Sequence, residues 1–183
     1  ALNALDDTQK NQLEQLIVAT LKSTDKRIKD RKPVTPAFFY AAVLWYPIVE
    51  HATKISDRYK PFPALEIAIE KLLSKQIKTI TIPRKFTNSM RDIWRMQFFL
   101  THRSPSRVHR LFEHTKFRAA YDLLLLREEA GEDLTEDCQW WTEFQICDEE
   151  KRKAMIETLK EPKKRRRRKR KKNNKIAQLV GRM

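Results

Sequence analysis

Apolar residues near the start of the chain recur at three- and four-residue steps. Leu13, Leu16, Ile17 and Leu21 fall on one side of a 3.6-residue period, and Asp6 or Asp7 stands where a capping carboxylate is needed. A helix is predicted there, with a further helical turn or two over residues 24–30 before Lys32-Pro33 interrupts. Thr35-Pro36 is a start signal, a capping hydroxyl followed by a proline at the first helical position. The run that follows (Phe38, Phe39, Ala41, Ala42, Val43, Leu44, Trp45) is apolar nearly all round, which predicts a helix central to the core. Pro47 is expected to kink or restart it, because proline has no amide proton and clashes with the preceding turn.

Beyond the break at residues 60–63, Leu65, Ile69, Leu72, Leu73 and Ile77 form another helical stripe. Residues 77–82 alternate apolar and polar positions, as a short strand would, but a helix end leading into Pro83 suits the surrounding pattern better. Met90, Ile93, Trp94, Gln97 and Phe98 mark the next helix, and Ser104-Pro105 opens a short one reaching Phe112. Residues 115–130 read as a long helix with Phe117, Ala120, Tyr121, Leu124 and Leu125 inward, closed by Gly131. Residues 134–146 form another, with Trp140, Trp141 and Phe144 apolar, and a polar helix over 149–160 ends before Pro162. The fold class expected is all-α, an irregular array of about eight short helices. Its divisions are a helical body over 1–82, an arginine-rich helical domain over 83–162 and a disordered basic tail over 163–183. With only 2 glycines in 183 residues, a β fold built on tight turns is disfavoured.

The most apolar stretch, residues 36–49, is shorter than the roughly 18–20 apolar residues a membrane span requires and is broken by Pro47. No basic-then-apolar secretory leader precedes the first helix, and the start at Ala1 suggests a trimmed chain or a fragment. Cys138 and Cys147 are too few for a four-ligand zinc site, and their spacing fits no redox motif. Two free thiols in a reducing cytoplasm are expected.

Charge changes the picture more. Twelve of the 39 Lys and Arg lie in residues 163–183, which hold no acid, while the other 162 residues carry 27 bases against 24 acids. A nearly balanced body is thus joined to a strongly cationic tail, an asymmetry that points to a polyanionic partner. Lys163, Lys164, Arg165, Arg166, Arg167, Arg168, Lys169, Arg170, Lys171 and Lys172 are ten consecutive cations. Mutual repulsion keeps such a run from packing by itself. Against a phosphate backbone each contact releases counterions, so affinity falls with salt by a log–log slope of about −0.7 per contact on single strands. The run also suits anionic lipid, a localisation signal or plain solubility. It holds no aromatic residue, so it lacks a base-stacking platform.

Within the body, Arg84, Lys85, Arg91, Arg95, Arg103, Arg107, Arg110, Lys116 and Arg118 follow closely. Arg91 and Arg95 share a helix face by their four-residue spacing, and Arg103, Arg107 and Arg110 repeat at four and three. Like charges so placed repel, so either an external anion or nearby Asp92, Glu113 or Asp122 must answer them. His102, His109 and His114 lie among these arginines without Cys or carboxylate at ligand spacing, and read as surface or phosphate-contacting side chains.

Residues 32–47 (KPVTPAFFYAAVLWYP), 91–97 (RDIWRMQ), 111–132 (LFEHTKFRAAYDLLLLREEAGE) and 140–145 (WWTEFQ) resemble, in order and spacing, the C-terminal region of the bacterial type I poly(A) polymerase family. The resemblance runs from about Leu13 to Lys160 and is weakest over 51–81; the tail resembles the family's arginine-rich end in charge only. That family is related to the CCA-adding nucleotidyltransferases. The resemblance implies a catalytic head with a Gly-Gly turn and an Asp-x-Asp pair, using ATP and Mg²⁺ to add adenylates to RNA 3′ ends, followed by a helical neck and body that hold RNA. This sequence has neither Gly-Gly nor a strand-borne Asp-x-Asp, so no catalytic residue and no cofactor is expected within it. The expected partners are single-stranded RNA 3′ regions, with RNA-decay proteins beside them, in the cytoplasm. The alternative is a non-enzymatic helical adaptor whose apolar surface takes a protein partner and whose tail is a solubility or anchoring device.

Overall fold

The structure, a computed structural model, describes residues 5–79 and 82–160, with the side chains of 77–79 excepted. The tail cations from Lys163 to Lys172, and the disorder expected of them, lie outside the described residues. All the regular structure within them is helical: α1 (Asp7–Lys29), α2 (Pro36–Val43), α3 (Trp45–Lys54), α4 (Pro61–Thr79), α5 (Arg84–Thr101), α6 (Pro105–Phe112), α7 (Phe117–Glu129), α8 (Thr135–Ile146) and α9 (Glu149–Thr158). The all-α expectation holds, with nine helices among the described residues where about eight were predicted.

Asp6 is the cap of α1. Its carboxylate accepts from the Gln9 amide at 2.7 Å, while the Gln9 side chain accepts from the Asp6 amide at 3.3 Å, a reciprocal pair that satisfies two otherwise open donors. From there α1 runs unbroken to Lys29, absorbing residues 24–29 that the sequence suggested as a separate turn. The restart associated with Pro47 falls three residues earlier, at Leu44. Pro47 then sits in the first turn of α3, where a missing amide proton costs nothing. Helix α4 continues through Thr79, so helix occupies the first part of the alternating stretch; residues 80–81 lie outside the described set.

In α2 the alanines, not the aromatics, face inward. Ala37, Ala41 and Ala42 are buried while Phe38, Phe39 and Tyr40 are half-buried. Small side chains let α5 approach closely enough for the Trp94 indole N–H to donate to the Ala41 carbonyl at 2.9 Å.

Apolar side chains gather in two clusters. The larger is built from α1 to α5 around Leu16, Trp45, Ile48, Leu65, Ile69 and Trp94, with Leu123 and Leu126 of α7 added. The smaller joins Met96 and Leu100 of α5 to Val108, Leu124, Trp141, Phe144 and Ile156. There the Trp141 N–H donates to the Leu100 carbonyl at 2.9 Å. Helices α5 and α7 pack on each other and contribute to both clusters.

Helix α7 ends as the sequence predicted. Gly131 adopts φ +94°, a conformation that side chains with a Cβ rarely tolerate. Its amide donates to the Glu128 carbonyl (2.9 Å) and that of Glu132 to the Arg127 carbonyl (3.1 Å). This reversal folds the Glu132 side chain back onto the Arg127 guanidinium.

Candidate nucleic-acid interface

Each basic residue singled out in the body has a definite surrounding. Arg91 and Arg95 do share a face of α5, but that face meets α4. Arg91 pairs with Glu70 at 2.9 Å, and Arg95 grips both Glu66 oxygens at 2.8 and 2.6 Å. For these two arginines the paired carboxylates come from a neighbouring helix, Asp92 adding only its charge to Arg95; of the three acids near in sequence, Asp122 answers Arg118 instead. Hydrogen bonding to Glu66 pushes the Arg95 guanidinium further above its ordinary value, so it is held charged.

Arg103 precedes α6 and therefore shares no helix face with Arg107 and Arg110. Its side chain is buried, paired to Asp137 and laid over the Trp140 ring at 5.1 Å. Arg107 is exposed, with its guanidinium 4.9 Å from the Phe99 ring centre, and Arg110 is exposed on the same helix. Arg84 and Lys85 project from the first turn of α5, and both are exposed. Arg118 pairs with Asp122 at 2.9 Å. Among the described residues, Arg84, Lys85, Arg107, Arg110 and Lys116 form no ion pair.

The histidines divide. His102 stacks on Phe98 with centroids 4.2 Å apart and is half-buried, so it is no free surface group. His109 and His114 are exposed, and the His114 Nδ1 accepts from the Lys116 amide at 3.1 Å. Cys138 is buried and Cys147 half-buried, both free thiols, and burial pushes the Cys138 thiol far above its ordinary value, so it stays protonated.

The structure brings Lys85 and Arg118, 33 positions apart, to one cleft of about 520 Å³. The C-terminal turns of α1 contribute Ser23, Thr24 and Arg27; the following loop and α2 contribute Thr35 and Phe38. The start of α5 supplies Lys85, Phe86 and Ser89, and the start of α7 supplies Lys116, Arg118 and Asp122. Four cations thus face one carboxylate. Asp122 lies 3.7 Å from Arg27 and 2.9 Å from Arg118. Burial pushes its carboxyl above the ordinary value, against the pull of Arg118 and then Arg27.

Arg27 escaped the sequence reading because residues 24–30 were detached from the first helix. The uninterrupted α1 carries it to the cleft, where it also donates to the Pro33 carbonyl at 3.1 Å. The signal available for Asp122 was its place one helical turn after Arg118.

Fold and cleft together define an all-helical module with a cation-lined recess and an arginine-rich second half. The chain belongs to the family described as Polymerase A arginine-rich C-terminus, whose model matches residues 57–175. It is 38% identical over 153 residues to poly(A) polymerase I of Salmonella typhi, covering 81% of this chain and 33% of that protein. The figures for poly(A) polymerase I of Escherichia coli O157:H7 are 39% over 153 residues, 81% and 33%. For poly(A) polymerase I of Haemophilus influenzae they are 36% over 147 residues, 79% and 32%. The chain spans about a third of the length of these relatives. No helix among the described residues is long and apolar enough to cross a membrane.

Proposed function

We propose that this chain is the RNA-holding C-terminal portion of a bacterial poly(A) polymerase, an enzyme that adds adenylates from ATP to RNA 3′ ends in RNA processing and decay. ATP and Mg²⁺ would be engaged by parts of the enzyme that this chain does not span. The observation that carries this reading is the family match over residues 57–175, which reaches into the polybasic run.

In the body, the contacts with a sugar–phosphate backbone fall to the cations that no carboxylate answers (Arg84, Lys85, Arg107, Arg110, Lys116) together with Arg118 at the cleft. Arg91, Arg95 and Arg103 act mainly on the fold through Glu70, Glu66 and Asp137. Lys163 to Lys172 add affinity without sequence preference. The partner class is single-stranded RNA near 3′ ends, with RNA-decay proteins as further partners, in the cytoplasm, where free Cys138 and Cys147 persist.

The test compares the whole chain with one ending at Pro162 in fluorescence anisotropy on a single-stranded RNA across a salt series. Removing residues 163–183 is expected to weaken binding to all sequences and flatten the salt slope by about 0.7 per lost contact, without unfolding the helical body. Identical binding by both chains at low salt would remove the tail from the interface. Preference for anionic vesicles over RNA would favour the adaptor alternative.

A further inference from the structure

The cleft between α1, α2, α5 and α7 presents two chemistries in one recess. Phe38 and Phe86 are half-buried; both pack against the larger apolar cluster and also line the cleft. Around them stand Lys85, Lys116 and Arg118, and the Lys85 ammonium lies 5.1 Å from the Phe86 ring centre. Lys85 and Lys116 have no carboxylate partner among the described residues, and Asp122 divides its one charge between Arg27 and Arg118.

An apolar ligand would leave these cations facing it without an anion, and a bare phosphate would leave the cleft-facing parts of the two half-buried rings uncovered. A nucleotide supplies a flat apolar ring and an anion in one covalent unit. The recess of about 520 Å³ is within the range of about 300–1,000 Å³ common to small-ligand sites. We infer that the cleft receives one nucleotide of a bound RNA strand, its base against Phe38 and Phe86 and its phosphates on Lys85, Lys116 and Arg118. This rests on the RNA-binding reading above and gives it a location. Single-stranded RNA is recognised by just this combination, unstacked bases on aromatic side chains beside a cationic track for the backbone.

The experiment uses the 183-residue chain, a labelled oligoadenylate, and the same oligomer carrying abasic positions. Lys85→Ala with Lys116→Ala is expected to lower affinity and to reduce the salt slope by about 1.4, two contacts' worth. Phe86→Leu keeps apolar bulk in the core but removes the ring face. It should cost roughly tenfold on the oligoadenylate and much less on the abasic oligomer. Asp122→Asn, which removes the cleft's carboxylate, is expected to raise affinity. Circular dichroism checks that each variant folds.

If the chain binds RNA but all three variants match it in affinity and salt slope, the assignment of the cleft fails while the RNA-binding reading stands. If the chain binds no RNA even in dilute salt, both fail. Free AMP displacing the oligoadenylate on equal terms would assign the cleft to a free nucleotide and overturn the strand-borne occupant.

Discussion

Arg127 is a cation wholly removed from solvent, and each of its three guanidinium nitrogens donates a hydrogen bond. Glu132 takes two bonds at 3.0 and 2.7 Å, Gln97 takes one at 2.8 Å, and the Trp45 ring lies 4.4 Å from its central carbon. The Tyr46 hydroxyl donates to the same Glu132 at 2.9 Å; burial and then the Glu132 charge push that phenol far above its ordinary value, so it stays a donor. Removing one member of a buried pair leaves the other charge unanswered, which costs far more than the pair contributes on balance. Arg127→Met should therefore destabilise the chain by about 3–5 kcal/mol in urea denaturation. Adding Glu132→Gln should recover part of that loss, and a double variant no more stable than the single would show that an unanswered carboxylate is not the cause. Nothing in the sequence marks this arginine. It follows four leucines as a solvated helix-end arginine would, and a partner five residues on is within reach only because the chain reverses at Gly131.

Between elements, the facing rows Glu66, Glu70 on α4 and Arg91, Arg95 on α5 form a charge ladder. Spacing alone made a shared arginine face legible. It did not reveal what that face meets, because α4 and α5 are joined through Pro83 and the ladder needs their pairing to be known. Both pairs are partly exposed, so each is expected to contribute only about 0.2–1 kcal/mol and to weaken with salt. Arg91→Ala with Arg95→Ala should lower the thermal midpoint slightly and leave RNA affinity within about twofold, since these charges are already answered. A larger loss of RNA binding than of stability would restore them to the interface. Helix positions were otherwise well marked: the Asp6 cap and the Gly131 stop act locally through backbone groups a few residues away, while Pro36 and Pro105 open α2 and α6 as first helical residues, the Thr35 and Ser104 hydroxyls making no capping hydrogen bond. The restart at Leu44 and the continuity of α1 were less legible, because packing against neighbours decides how far a helix runs.

On the scale of the molecule, the two apolar clusters share α5 and α7, so neither has a complete set of walls alone. Phe144→Ala in the smaller cluster should cost about 3–5 kcal/mol and move the midpoints of circular dichroism and tryptophan fluorescence together. Two separated midpoints would mean that the clusters melt independently. The all-helical class was legible because periodicity is a property of each segment. The cleft was not, because its walls come from residues 23 to 122 and only tertiary packing assembles them. Gln97 has a consequence for those walls. From α5 its side-chain oxygen accepts from Arg127 and its nitrogen donates to the Ala120 carbonyl at 2.8 Å, both on α7. Slipping one helix past the other by a turn, about 5.4 Å, would strand all three partners in a dry interior. The two helices therefore meet as a key meets its notch, and the mouth between their N-terminal ends keeps a set width before any guest arrives.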